Sequence, residues 1–170
     1  MARYAAFLRA INIGGRRIKG PELCAPFSDA LGFEDVTSFR ASGNVIFSAG
    51  RKPAESRIET GLEAALGYEV VTFLRGPAEM AELAAAEPFE PGAKYHVWFL
   101  KALPSPAKQR SVLALGTEDD KLAWGERELF WRPRGRMLES ELDLKAVGKL
   151  VGPNTMRTNG TVEQIAAKWF

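Results

Sequence analysis

A chain of 170 residues with 46% apolar and 26% charged side chains has the composition of a folded globular protein, which excludes a disordered one. A formal net charge of +2 gives no global attraction for nucleic acid or membrane, so any basic site must be local. The one cysteine, Cys24, excludes an internal disulfide, and with the one histidine, His96, it excludes an all-Cys/His metal site by counting. No metal or cofactor is expected.

Tyr4 to Ile11 is apolar on both faces apart from Arg9, as befits a strand that is covered on both sides or lies centrally. Pro21 suits a helix start, and Leu23, Phe27 and Leu31 recur at helical spacing up to Gly32, with Pro26 predicting a kink or late start. Val36–Arg40 and Asn44–Ser48 read as strands joined by Ala-Ser-Gly. Ile58, Leu62, Ala65 and Leu66 give a second helix ending at Gly67, and Val70–Leu74 a fourth strand. A helix around Ala78–Ala86 stops at Pro88, and the run from Glu87 to Gly92 is the natural linker.

The second half repeats this order. Tyr95–Leu100 is a strand, Pro106–Leu115 a helix, Lys121–Trp124 and Glu128–Trp131 a hairpin, and Leu142–Leu150 a helix. Thr161 and Gln164 form a capping box for a closing helix with Val162, Ile165, Ala166 and Trp169 on one face. The expected fold class is α+β: two ferredoxin-like lobes with antiparallel sheets and helices packed on them. The lobes are placed at 1–88, with a trailing helix, and 92–170, with the C-terminal helix.

Two polar, glycine-bearing corners follow apolar strands. The first runs from Arg9 through Asn12, Gly14, Gly15, Arg16 and Arg17 to Lys19, and the second is Arg40-Ala41-Ser42-Gly43-Asn44. In the expected sheet, strands one and three are adjacent and antiparallel, so these corners share a rim with the first helix start. Backbone N–H groups, glycines and cations there favour an anion. The candidate charges are Arg9, Arg16, Arg17, Lys19 and Arg40, with Asn12, Ser42 and Asn44 as neutral hydrogen-bonders. Turn chemistry alone also explains either corner. Neither a Gly-x-Gly-x-x-Gly fingerprint nor a P-loop is present.

The same segments carry a family resemblance. Leu8-Arg9-Ala10-Ile11-Asn12-Ile13-Gly14-Gly15 and Ser42-Gly43-Asn44-Val45-Ile46-Phe47 are similar to the motifs of a widespread bacterial family catalogued as domain of unknown function 1697. Pro88-Phe89, the His96–Leu100 strand and Leu129-Phe130 match as well. Thr155, Arg157, Thr161 and Val162 match near the C-terminus, but Thr158 and Asn159 stand where an Asn-Trp pair is usual. The resemblance extends over essentially the whole chain. It implies a cytoplasmic protein of two ferredoxin-like lobes and transfers no catalytic residue.

Five further features stand apart from the two corners. Arg157, before the last helix, is a candidate to complete an anion site, against a solvated arginine beside a cap. His96 lacks an acid partner, and Cys24 reads as a packing residue in a first helical turn. Trp98, Trp124, Trp131 and Trp169 read as core or packing, with a base-stacking platform of Trp124, Phe130 and Trp131 beside Arg127, Arg132, Arg134 and Arg136 as the sharper alternative. Glu118-Asp119-Asp120 reads as a loop without metal-loop spacing.

The cytoplasm is the expected compartment: no apolar run crosses a bilayer, and Arg9 and Asn12 break the N-terminal one before a secretory core forms. The preferred function is a binding module whose first lobe offers a rim to a nucleotide or nucleic-acid phosphate. One alternative is an enzyme acting on a phosphorylated or carboxylated small molecule, oriented by Asn12, Ser42 and Asn44. The other is a structural partner protein.

Overall fold

The computed structural model describes residues 1–12 and 14–170; Ile13, inside the first corner's motif, lies outside the described residues. The chain divides into two compact units, Met1–Ala84 with Gln164–Phe170, and Ala85–Glu163.

The first unit follows the order β1 (Ala2–Leu8), α1 (Gly20–Ala25), β2 (Glu34–Ser38), β3 (Asn44–Ala49), α2 (Glu55–Leu66), β4 (Thr72–Arg75) and α3 (Pro77–Ala85). Its strands pair antiparallel in the order β2-β3-β1-β4, so β1 and β3 are the central neighbours. Tyr4, Ala6 and Leu8 of β1 share a core with Val45 and Phe47 of β3, Leu23 and Phe27 from the first helical segment, and Ile58 and Leu62 of α2. The intervening Ala5 and Phe7 are also buried, as the two-faced apolar run of β1 requires. Phe33 stacks on Phe47 at 4.3 Å between ring centroids. Burying one such ring stabilises the fold by about 1.5–3 kcal/mol.

Pro26 acts as expected. It ends α1 and opens a π-helical turn, Pro26–Ala30, because its missing N–H removes a rung of the helical ladder. Strand β1 stops at Leu8, short of the expected Ile11, because Ala10 turns to φ 60°, a left-handed conformation that cannot continue a strand.

The second unit runs β5 (His96–Leu100), α4 (Pro106–Ala114), β6 (Asp120–Trp124), β7 (Glu128–Pro133), α5 (Leu144–Val151) and β8 (Asn154–Thr158), continuing into α6 (Asn159–Trp169). The sheet order β6-β7-β5-β8 reproduces that of the first unit. Trp98, Leu100, Leu129 and Trp131 meet Val112 of α4 and Val147 and Val151 of α5 in its core. Strand β8 was not expected. Its residues Asn-Thr-Met-Arg-Thr carry no apolar run, and Thr155 and Arg157 are the buried positions.

The start of α6 also differs. Thr158, three residues earlier than the expected cap, has its Oγ1 accept the Thr161 backbone N–H at 3.3 Å, which leaves Thr161 inside the first turn. No helix among the described residues is long and apolar enough to cross a membrane.

Candidate functional site: a cationic rim on the first unit

The antiparallel pairing of β1 with β3 sets Phe7 opposite Asn44, which puts the two corners at one end of the sheet. The Leu8 N–H donates to the Gly43 carbonyl at 2.8 Å and the Arg9 N–H to the Val71 carbonyl at 2.9 Å. The end of β1 is therefore held from both sides. Gly43 sits at φ 82°, and a Cβ there would lie 3.1 Å from Ile11 Cγ1 and 3.2 Å from the Leu8 carbonyl oxygen. Only glycine satisfies that conformation and that close approach together.

Asn12 joins the corners. Its Nδ2 donates to the Ala41 carbonyl at 2.5 Å, and its Oδ1 accepts the Ile18 N–H at 2.9 Å. Asn44 is almost fully buried, and its Nδ2 donates to the Phe39 carbonyl at 2.8 Å and to Ser42 Oγ at 3.0 Å. Both amides thus hold the loops in shape, the role that turn chemistry gives such residues. Gly14 and Gly15 are exposed, at φ 61° and 83°. Each corner also holds one left-handed non-glycine residue, Ala10 at φ 60° in the first and Arg40 at φ 59° in the second.

Arg9, Arg16, Arg17, Lys19 and Arg40 are all exposed. None of them forms an ion pair with a carboxylate among the described residues. Arg16 lies over the Tyr68 ring at 4.0 Å, and Arg40 Nη2 donates to Gln164 Oε1 at 2.7 Å. Between the corners and the start of α1 lies a cleft of about 200 Å³, walled by Asn12, Ile18, Ser38, Arg40 and Ala41. The start of α1 is less open to anions than expected, because the Glu22 carboxylate accepts the Lys19 N–H at 3.3 Å.

The remaining candidates lie elsewhere. Arg157 is on β8 in the second unit and is not solvated; its Nη1 donates to Thr155 Oγ1 and to the Met156 carbonyl, both at 2.8 Å. Burial lowers its pKa to about 10. His96 stacks on Trp131 at 5.0 Å, and burial holds its imidazole below the usual histidine range. Burial likewise pushes the Cys24 thiol up, with a Ser38 hydrogen bond opposing it, so the thiolate is disfavoured. Trp98, Phe130 and Trp131 are buried and Trp124 donates its indole N–H to the Gln109 carbonyl, so that hairpin presents no stacking platform.

An acidic cleft of about 610 Å³ lies around Asp119, Asp120, Glu139 and Glu141. Among the described residues no group of three or more His, Cys, Asp or Glu side chains is arranged to hold a metal ion. Sequence reading missed Tyr68 under Arg16 and the Phe39–Trp169 pair, whose rings meet edge-on at 5.4 Å. The aromatic residues were visible, but their partners lie 52 and 130 positions away.

Fold and rim together define an α+β protein of two four-stranded antiparallel units, with exposed cations that have no carboxylate partner among the described residues at one sheet end of the first. The family model described as "Protein of unknown function (DUF1697)" matches residues 1–130, and the chain belongs to that family. The match contains both corners and ends before the C-terminal segment in which Thr158 and Asn159 depart from the family pattern. The conserved bacterial protein SP0830 from Streptococcus pneumoniae has the same fold, with a TM-score of 0.74 and 22% identity, over 98% of this chain and 97% of that one. No curated protein matches.

Proposed function

We propose that the first unit is an anion-binding module that accepts the phosphate of a nucleotide or nucleic acid at its cationic rim. The observation that carries this reading is the convergence of Arg9, Arg16, Arg17, Lys19 and Arg40, exposed and without carboxylate partners among the described residues, on two corners bridged by Asn12. On a chain of net charge +2 such a cluster is a local excess of positive charge.

A cation about 8 Å from a unit negative charge contributes roughly 0.5 kcal/mol in water, before screening. Five give about 2.5 kcal/mol, which salt near 0.15 M largely cancels. Binding therefore has to be sought at low ionic strength. The 200 Å³ cleft is below the roughly 300–1,000 Å³ of enclosed small-molecule sites, so the rim fits an exposed phosphate better than an engulfed substrate. Asn12 and Asn44, spent on the loops, do not act as substrate-orienting groups in this reading.

The test is thermal unfolding with millimolar ATP or pyrophosphate at low salt, since a ligand of the native state raises its apparent stability. The wild-type chain rises in Tm, and Arg9→Ala/Arg17→Ala loses the rise. No rise in the wild type with either anion refutes the proposal.

A further inference from the structure

We infer that the rim's ligand is a single-stranded nucleic acid, with its phosphates on the corner cations and its bases on the ring pair Phe39–Trp169. This rests on the anion-binding reading and names its ligand class. The observation is three cation–ring contacts on the first unit, two of them joined through the Phe39–Trp169 pair. Arg16 covers Tyr68 at 4.0 Å, Arg40 lies 5.3 Å from the Phe39 ring, and Lys168 lies 4.6 Å from the Trp169 ring.

Phe39 and Arg40 continue from β2, and Trp169 ends α6. The two rings touch edge to face at an interplanar angle of 72°, so neither ring stacks on the other. Both are only half-buried. The Arg40–Gln164 hydrogen bond fixes the last turns of α6 beside the second corner, which keeps Trp169 next to Arg40. Lys168 sits on a long, flexible side chain, and when it turns to a phosphate it uncovers the Trp169 ring face for a base. Base–aromatic stacking of this kind is indifferent to sequence, because every base has a π-face.

The dimensions suit a polymer. Tyr68 precedes β4 at one edge of the sheet and Phe39 follows β2 at the other, and those two strands are three strand spacings, about 14 Å, apart. A stacked strand carries one phosphate per about 3.4 Å, so about four phosphates span that width. A mononucleotide reaches one end only. Duplex DNA presents no free base faces, which makes the ring pair useful only to an unpaired strand.

The experiment uses the full chain and a fluorescein-labelled decauridylate, followed by anisotropy at 20–200 mM salt, with UMP, pyrophosphate and a ten-residue polyglutamate as competitors. The expected result is oligonucleotide binding whose log K falls against log salt with a slope of about −2.8, that is about −0.7 for each of four phosphates. Arg17→Ala reduces that slope by about 0.7. Phe39→Leu/Trp169→Leu keeps apolar bulk, weakens binding about tenfold or more and leaves the slope unchanged. A 5-bromouridine decamer irradiated on the wild-type chain gives adducts on the peptides bearing Phe39 or Trp169, a readout that does not depend on a variant folding.

Polyglutamate that competes as well as the oligonucleotide, or adducts confined to other peptides, overturns the inference. If pyrophosphate still binds in that case, the anion-binding reading stands without it. If no anion binds at low salt, both fall.

Discussion

Asn12 is the residue whose loss separates the two corners. Alanine in its place removes the bond to the Ala41 carbonyl and the bond from the Ile18 amide. A neutral hydrogen bond contributes about 0.5–1.5 kcal/mol net, and since both partners are exposed to water the lower half of that range applies. The pair is worth about 1–2 kcal/mol, and at about 2–4 °C per kcal/mol for a chain of this size, Tm falls by about 2–8 °C. The melt is followed by circular dichroism, and hydrogen exchange is read at the Ile18 amide, which loses its acceptor and its protection together. Asn12→Asp keeps the acceptor for Ile18 but sets a carboxylate against the Ala41 carbonyl, so it destabilises at least as much and weakens anion binding. If Asn12→Ala melts with the wild type and Ile18 exchanges at the wild-type rate, Asn12 does not hold the corners. The proposed rim then loses its structural basis.

Gly43→Ala meets both a left-handed φ and three contacts under 3.4 Å, whereas Gly14→Ala meets the φ alone; denaturant melts place Gly43→Ala lower, by about 1 kcal/mol or more. Ala10→Gly relieves a left-handed alanine and raises stability by up to about 1 kcal/mol, measured in the same way. Asp120 Oδ1 accepts from Trp131 Nε1 at 2.9 Å and from Ser140 Oγ at 2.6 Å, so Asp120→Ala leaves a buried indole N–H unpaired at a cost of about 1–3 kcal/mol. Asp120→Asn retains an acceptor and costs less. The His96 imidazole is held below its usual range in the fold, so the unfolded chain takes up the proton first as pH falls. Stability is therefore full above about pH 6.5 and declines below it. His96→Gln flattens that part of the Tm profile between pH 7.5 and 5.5, and an equally steep profile would show that His96 is not its source.

Most of the architecture was legible because it is written locally. Pro26 and Gly67 mark where helices must change or stop, and Gly67 is indeed left-handed at φ 80°. The apolar run of β1 announced a strand buried on both faces, and the order of elements implied that β1 and β3 would be neighbours. The rim's location was readable for that reason. Strand β8 was not, since Asn154–Thr158 has the composition of a loop and becomes a strand by pairing with β5.

By itself the sequence determined most element types, β8 excepted, because propensity, periodicity and turn chemistry act between residues a few positions apart; its motifs pointed to the family, and the order of its elements to the meeting of two corners. Tertiary structure alone decided that Asn12 and Asn44 serve the loops, that Arg157 is buried on a strand, and that Phe39 finds Trp169. Those outcomes depend on which distant groups compete for the same space and the same hydrogen bonds, and no local pattern encodes that competition.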